Sequence, residues 1–247
     1  MGAEPSCLSL HRSRSRPPLC VNSAHLIRMP DNASAPQATL HEIRTAANSA
    51  AFLLPALISM KEDSPGVQLL DVGAGSGTIS TSFAELLPGG HVIAVDINVK
   101  SLARAQALAE KAGIKNIDFR QGSVYELPFA DESFDITFCH QVLIHIGNPW
   151  DALREMLRVT KRNGIVAARE GDYETESIWP SLPGLTKFHD FMASLMSAGG
   201  GSPTAGRELL GWALRAHVSR DMITLSHSTT SYSTAAEKII CCEYAGA

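Results

Sequence analysis

The 247-residue chain predicts an α/β domain with a doubly wound, mostly parallel sheet. Three observations carry this. Short, largely apolar runs recur at Val67–Leu70, His91–Val95 and Ile165–Ala168, as expected of strands covered on both faces. Between them the apolar spacing changes to three and four residues, the helical period. Gly73, Gly75 and Gly77 follow the first run, where a strand must turn tightly into a helix.

Residues 1–39 show neither period. Serine, proline, asparagine and arginine dominate, as in His11-Arg12-Ser13-Arg14-Ser15-Arg16-Pro17-Pro18, and the segment reads as a disordered tail. The domain is expected over 40–247, with its core at 66–170. Leu40, Ile43, Ala47, Ala50, Ala51 and Leu54 predict one helix with Pro55 near its end. The turn cluster Asp63-Ser64-Pro65-Gly66 precedes the first strand. Ile79, Phe83, Leu86 and Leu87 make the stripe of the next helix. A second strand, His91–Val95, ends on Asp96. Asn98 then caps a helix carrying Leu102, Ala105 and Ala109, stopped by Gly113.

Ile117–Gln121 alternates as a half-buried edge strand does, and Phe134–His140 reads as a further strand. Asn148-Pro149-Trp150-Asp151 opens a helix with Leu153, Met156 and Leu157 inward. Asn163-Gly164 leads to the strand Ile165–Ala168. Residues 174–201 enclose a helical stretch, Leu185–Ser197, between Trp179-Pro180, Leu182-Pro183 and Gly199-Gly200-Gly201. They read as a lid-like insertion. A helix at Glu208–His217 and a strand beginning Met222–Leu225 follow.

The glycine turn carries the chemistry. Strand, turn and helix N-terminus together point backbone N–H groups at a ligand. The spacing is G-x-G-x-G, and Thr78 stands where a dinucleotide fingerprint has its third glycine. Asp71, two positions before Gly73, repels a pyrophosphate and suits an ammonium or sulfonium group. Asp96, 19 positions after Gly77, lies where a ribose-binding acid sits in nucleoside-binding sheets. A nucleoside with a cationic tail fits these residues; the absent third glycine and Asp71 argue against an NAD-dependent oxidoreductase, which stays open as an alternative class.

Asp71-Val72-Gly73-Ala74-Gly75-Ser76-Gly77 and Val95-Asp96-Ile97-Asn98 resemble the first and second motifs of the class I S-adenosylmethionine-dependent methyltransferases. Arg44–Pro55 is similar to a segment of the ubiquinone/menaquinone-biosynthesis C-methyltransferase-like group, from which Ala47 departs. The resemblance covers about Arg44 to Ala236. It implies a Rossmann-like, mostly parallel sheet and S-adenosyl-L-methionine as cofactor. It also implies a small-molecule methyl acceptor of unspecified nucleophile. In that family an antiparallel strand usually lies between the fifth and sixth. Here only Lys238–Tyr244 remains to supply it, so the C-terminal strand is expected to be missing or altered.

By the same resemblance, Gly73, Ala74, Gly75 and Gly77 pack against the methionine part, and Asp71 serves its ammonium. Asp96 accepts from the ribose hydroxyls, Ile97 covers the adenine, and Ser123 with Val124 meets its edge. Asn98, His140 and Gln141 complete the cofactor set. Relatives usually have aspartate where Ser123 stands, and a neutral acceptor bonds more weakly. His145 and His140 are the candidate bases, since histidine titrates nearest neutrality. Arg44, Asp172, Tyr173 and Trp179 are the candidates for contact with the acceptor. Ser123 and the short C-terminus keep a second reading open: a catalytically weak or inactive methyltransferase-like binding domain.

Composition bounds the partners. The net charge of −4 gives no electrostatic footprint for nucleic acid. Five scattered cysteines show no metal-ligand spacing and suit a reducing compartment, so no metal is expected. No apolar run reaches membrane-spanning length. A cytoplasmic location is expected, or a mitochondrial one if the Arg/Ser-rich N-terminus is a targeting peptide.

Overall fold

The computed structural model describes residues 19–23, 42–177, 179 and 181–230. Its seven strands are β1 (Leu19–Ser23), β2 (Gln68–Val72), β3 (His91–Asp96), β4 (Ile117–Gln121), β5 (Phe134–His140), β6 (Thr160–Glu170) and β7 (Ile223–His227). They form one sheet in the order β4-β3-β2-β5-β6-β1-β7, and every pairing is parallel. The helices are α1 (Ala46–Ser49), α2 (Leu54–Asp63), α3 (Thr78–Leu86), α4 (Val99–Lys111), α5 (Pro149–Val159), α6 (Pro183–Ala198) and α7 (Ala205–Arg215).

Apolar side chains alternate between two cores because successive strand residues point to opposite faces. Leu70, Val72, Val95, Cys139, Val166 and Ala168 pack on one face with Leu153, Met156, Leu209 and Ala213 of α5 and α7. Leu69, Val92, Ile136, Phe138, Ile165 and Ala167 pack on the other with Leu53, Leu57 and Phe83. Phe83 meets Phe138 edge to face, with ring centroids 5.2 Å apart.

The helix expected from Leu40 is broken in two. The Thr45 and Asn48 side chains form a capping box around α1, and Pro55 sits in the first turn of α2. Proline is favourable there because its missing N–H has no partner within a helix anyway.

The larger difference is at the N-terminus. Within the expected tail, Leu19–Ser23 is strand β1, inserted between β6 and β7 and parallel to both. Leu19 is in register with Val166 and Ile223, and Ser23 with Glu170 and His227. The place anticipated for an antiparallel C-terminal strand is therefore filled from the other end of the chain. Backbone groups on the facing edges of β6 and β7 find partners in β1. Lys238–Tyr244 and the remainder of residues 1–39 lie outside the described residues.

The chain runs outward from β2 to β3 and β4, then returns to β5 on the other side of β2. The strand order thus reverses between β2 and β5. At such a point the flanking loops diverge and leave a crevice at the carboxyl ends of the strands.

Candidate active site

The glycine loop leaves β2 at this crevice. Gly73, Gly75 and Gly77 have φ of 72°, 55° and 71°, a region costly for residues with a Cβ. Their surroundings differ. A Cβ on Gly73 would lie 2.3 Å from Val142 Cγ2, and one on Gly77 would lie 2.5 Å from Ala105 Cβ. A Cβ on Gly75 would meet nothing within 4 Å, so this glycine faces open space.

Asp96 ties the loop to the next strand. Its Oδ2 accepts the Gly75 N–H at 2.8 Å and its Oδ1 accepts the Asn98 N–H at 2.8 Å. The carboxylate is thereby oriented while each oxygen keeps a lone pair for a ligand. Asn98 accepts from the Lys100 and Ser101 N–H groups and so caps α4. Asp71 is 2% exposed and accepts the Ser80 hydroxyl at 2.6 Å. Burial, with the Asp96 charge adding to it, pushes the Asp71 carboxyl up to about 7 despite that hydrogen bond.

A small recess is lined by Arg44, Asp71, Gly73, Ala74, Gly75, Ser76, His140 and Gln141, among others. Gln141 has φ of 54° and is 4% exposed. Its Oε1 accepts from Arg44 Nη2 at 2.9 Å, and its Nε2 is buried without a partner among the described residues. A left-handed glutamine holding an unsatisfied donor beside a glycine loop marks a place built for an acceptor atom.

Next to the recess is a cavity of about 750 Å³. Asp96, Ile97, Ser123, Val124 and Tyr125 line one side, and Val142, His145 and Ile146 another. Met192, Leu195 and Met196 of α6 form an apolar wall. The Tyr125 hydroxyl donates to the Gly147 carbonyl and joins two of these walls. Ser123 Oγ accepts the Tyr125 N–H at 3.2 Å.

The expected residues fall into distinct groups. Asp71, Gly73, Ala74, Gly75, His140 and Gln141 surround the recess; Gly73, Asp96, Ile97, Ser123, Val124 and His145 surround the cavity. Gly77 packs against α4 behind the loop, and the Asn98 side chain serves its helix. Arg44 lines the recess beside the glycine loop and not the cavity.

His140 is committed elsewhere. Arg169 Nη1 stands 2.7 Å from its Nε2, and a guanidinium can only donate, so Nε2 accepts and the ring proton is assigned to Nδ1. That leaves His140 without a nitrogen to take a proton from an acceptor. Asp172 is 4% exposed and bonded to Arg207 through both oxygens, at 2.6 and 2.8 Å. Tyr173 is a buried core residue whose carbonyl faces His189 Nε2 at 2.8 Å. Trp179 is 89% exposed. None of these last three lines the cavity.

The pattern of the sequence did not disclose Val142, Tyr125 or Ile146, nor which face of the helix expected at Leu185–Ser197 lines the cavity. Met192 and Met196, four apart, were the available sign of an inward helix face.

The family model described as "Methyltransferase domain" matches residues 63–198, more than half of the chain. An uncharacterized methyltransferase of Schizosaccharomyces pombe is 39% identical over 66% of this chain and 60% of its own length. The ubiquinone/menaquinone biosynthesis C-methyltransferase of Ectopseudomonas mendocina is 34% identical over 51% of this chain and 48% of its own. A Bacillus halodurans crystal structure, solved as a candidate methyltransferase, superposes with a TM-score of 0.51 at 24% identity. It covers 66% of this chain and 67% of that one, and carries the fold alone.

The fold and loop define the class I, S-adenosylmethionine-dependent methyltransferase architecture. The chain belongs to the methyltransferase-domain family. It spans between about half and 60% of the length of these curated relatives. The residues present fit S-adenosylmethionine: an open cradle at Gly75, a buried carboxylate at Asp71 and a waiting donor at Gln141.

Proposed function

We propose that this domain transfers a methyl group from S-adenosylmethionine to a small, uncharged, largely apolar acceptor held in the cavity. The observation that supports it most is the glycine loop, open at Gly75 and flanked by buried Asp71 and the backbone-anchored Asp96. The bound cofactor would supply an electrophilic methyl group on a sulfonium.

The chain's own residues would do the following. Gly73 to Gly75 take the methionine chain against backbone. Asp71 faces its ammonium, while Gln141 Nε2 and the Arg44 guanidinium face its carboxylate. Asp96 accepts from the ribose, and Ile97 and Val124 flank the adenine. Ser123 Oγ already accepts the Tyr125 N–H, so its bond to the adenine amino group is a shared one. Met192, Leu195 and Met196 exclude water from the reacting atoms, which matters because charge is lost in the displacement. Among the described residues, no lysine or arginine lines this cavity, which favours an uncharged acceptor. His145 is positioned on the cavity side to take a proton where the acceptor must lose one.

Calorimetry with adenosylhomocysteine and NADH is the first test, followed by labelled-methyl transfer to a panel of apolar hydroxy- and carbonyl-containing acceptors. Saturable binding of adenosylhomocysteine alone is expected. Binding of NADH and not adenosylhomocysteine would refute the reading. Tight binding without transfer to any acceptor would favour the inactive binding domain, a reading supported by the shared Ser123 oxygen.

A further inference from the structure

Glu170 ends β6 and is 0% exposed. A buried carboxylate needs donors, and here they come from three consecutive backbone groups on another segment. Oε1 accepts the N–H of Val142 at 3.0 Å and of Leu143 at 2.9 Å, and Oε2 accepts that of Ile144 at 3.2 Å. These groups open a short 3-10 turn, Leu143–His145, which has no side-chain cap of its own. The first N–H groups of a helical turn are orphans, and a carboxylate is their strongest acceptor.

The turn matters because of what it carries. Val142 at its start packs over the Cα of Gly73, and His145 at its end lines the cavity. One carboxylate thus fixes the span between the glycine loop and the candidate base. We propose that Glu170 is a positioning residue: it caps the Leu143–His145 turn from the neighbouring strand and so sets His145 against the acceptor. This rests on the methyltransferase reading for what His145 does, and on the three hydrogen bonds for how it is held. Glu170 lines neither the recess nor the cavity.

The test uses the full chain and its E170Q variant. Glutamine has one carbonyl oxygen where glutamate has two, and turns an amide N–H2 toward a backbone N–H. Amide exchange at Leu143 and Ile144 should quicken by at least about ten-fold, while Leu70 and Phe138 stay protected. Affinity for adenosylhomocysteine should stay within about threefold. The His145 ring resonances, followed by NMR in the adenosylhomocysteine complex, should shift and broaden as the ring loses its fixed placement.

E170D, whose carboxylate is drawn back by one methylene, should give the same pattern. Unchanged exchange at residues 143 and 144 would overturn the assignment. So would unmoved His145 ring resonances, loss of protection spread evenly through β2 and β5, or unfolding of both variants. Failure of the wild-type chain to bind adenosylhomocysteine would instead refute the methyltransferase reading; exchange on the free protein then judges Glu170 separately.

Discussion

Replacing Asp71 by asparagine should change how stability depends on pH. The Asp71 carboxyl is raised from 3.8 to about 7, chiefly by burial. Between those values the folded chain holds a proton that the unfolded chain has released, so the unfolded state binds fewer protons. Stability then falls as pH rises, by about 1.4 kcal/mol per unit for one proton. Asp71 therefore favours the folded state fully below pH 4, loses that advantage through pH 7, and is flat above. Three units correspond to a swing of about 4 kcal/mol, of which about 3 kcal/mol lies between pH 5 and pH 8.

Urea denaturation of wild type and D71N at pH 5, 6, 7 and 8 isolates the effect, because groups of opposite sign such as Glu155 cancel in the difference. The wild type should lose about 3 kcal/mol relative to D71N across that range. A difference independent of pH would refute the argument that Asp71 is protonated in the free protein. An ammonium-bearing ligand draws the site toward the carboxylate, so adenosylhomocysteine should bind the wild type more tightly as pH rises from 5.5 to 7.5. It should also release a proton, detected by calorimetry in two buffers of different ionisation enthalpy.

Asp96→Ala should weaken adenosylhomocysteine binding by about 1.5–3 kcal/mol, since it removes a charged acceptor, as calorimetry would show with the fold intact by circular dichroism. Gly75→Ala should lose about 1–2 kcal/mol to its left-handed φ of 55°, several degrees in melting temperature and no more because the added Cβ meets no protein atom, yet bind adenosylhomocysteine much more weakly; unchanged affinity would show that the cradle is not where the ligand lies. Deleting residues 1–23 should cost at least about 3 kcal/mol in urea denaturation, because β6 and β7 lose a strand that pairs with both. Equal stability of the truncated and full chains would show that the sheet does not need β1.

Local chemistry was enough for much of this protein. Strand β2, its glycine turn and α3 could be read directly, because left-handed turn residues and a change of apolar period are properties of adjacent residues. Asp71 and Asp96 could be placed at one crevice for the same reason: each stands at or next to the carboxyl end of a strand, and parallel strands bring such ends together. The partners of side chains could not be read this way. Arg169 beside His140, Arg207 across from Asp172, and Glu170 under the Leu143–His145 turn are each separated by more than 25 positions, and no spacing rule connects them. Those contacts commit the His140 ring to Arg169 and Asp172 to an ion pair with Arg207.

Strand β1 is the clearest case of tertiary decision. Leu19-Cys20-Val21-Asn22-Ser23 is too short to show a period, and beside Pro17-Pro18 and an arginine-serine run it carries no strand signal of its own. It becomes a strand because the sheet offers two edges, β6 and β7, whose backbone groups need partners. A five-residue segment with little intrinsic preference takes the conformation that satisfies them, and that demand exists only once the rest of the sheet has formed.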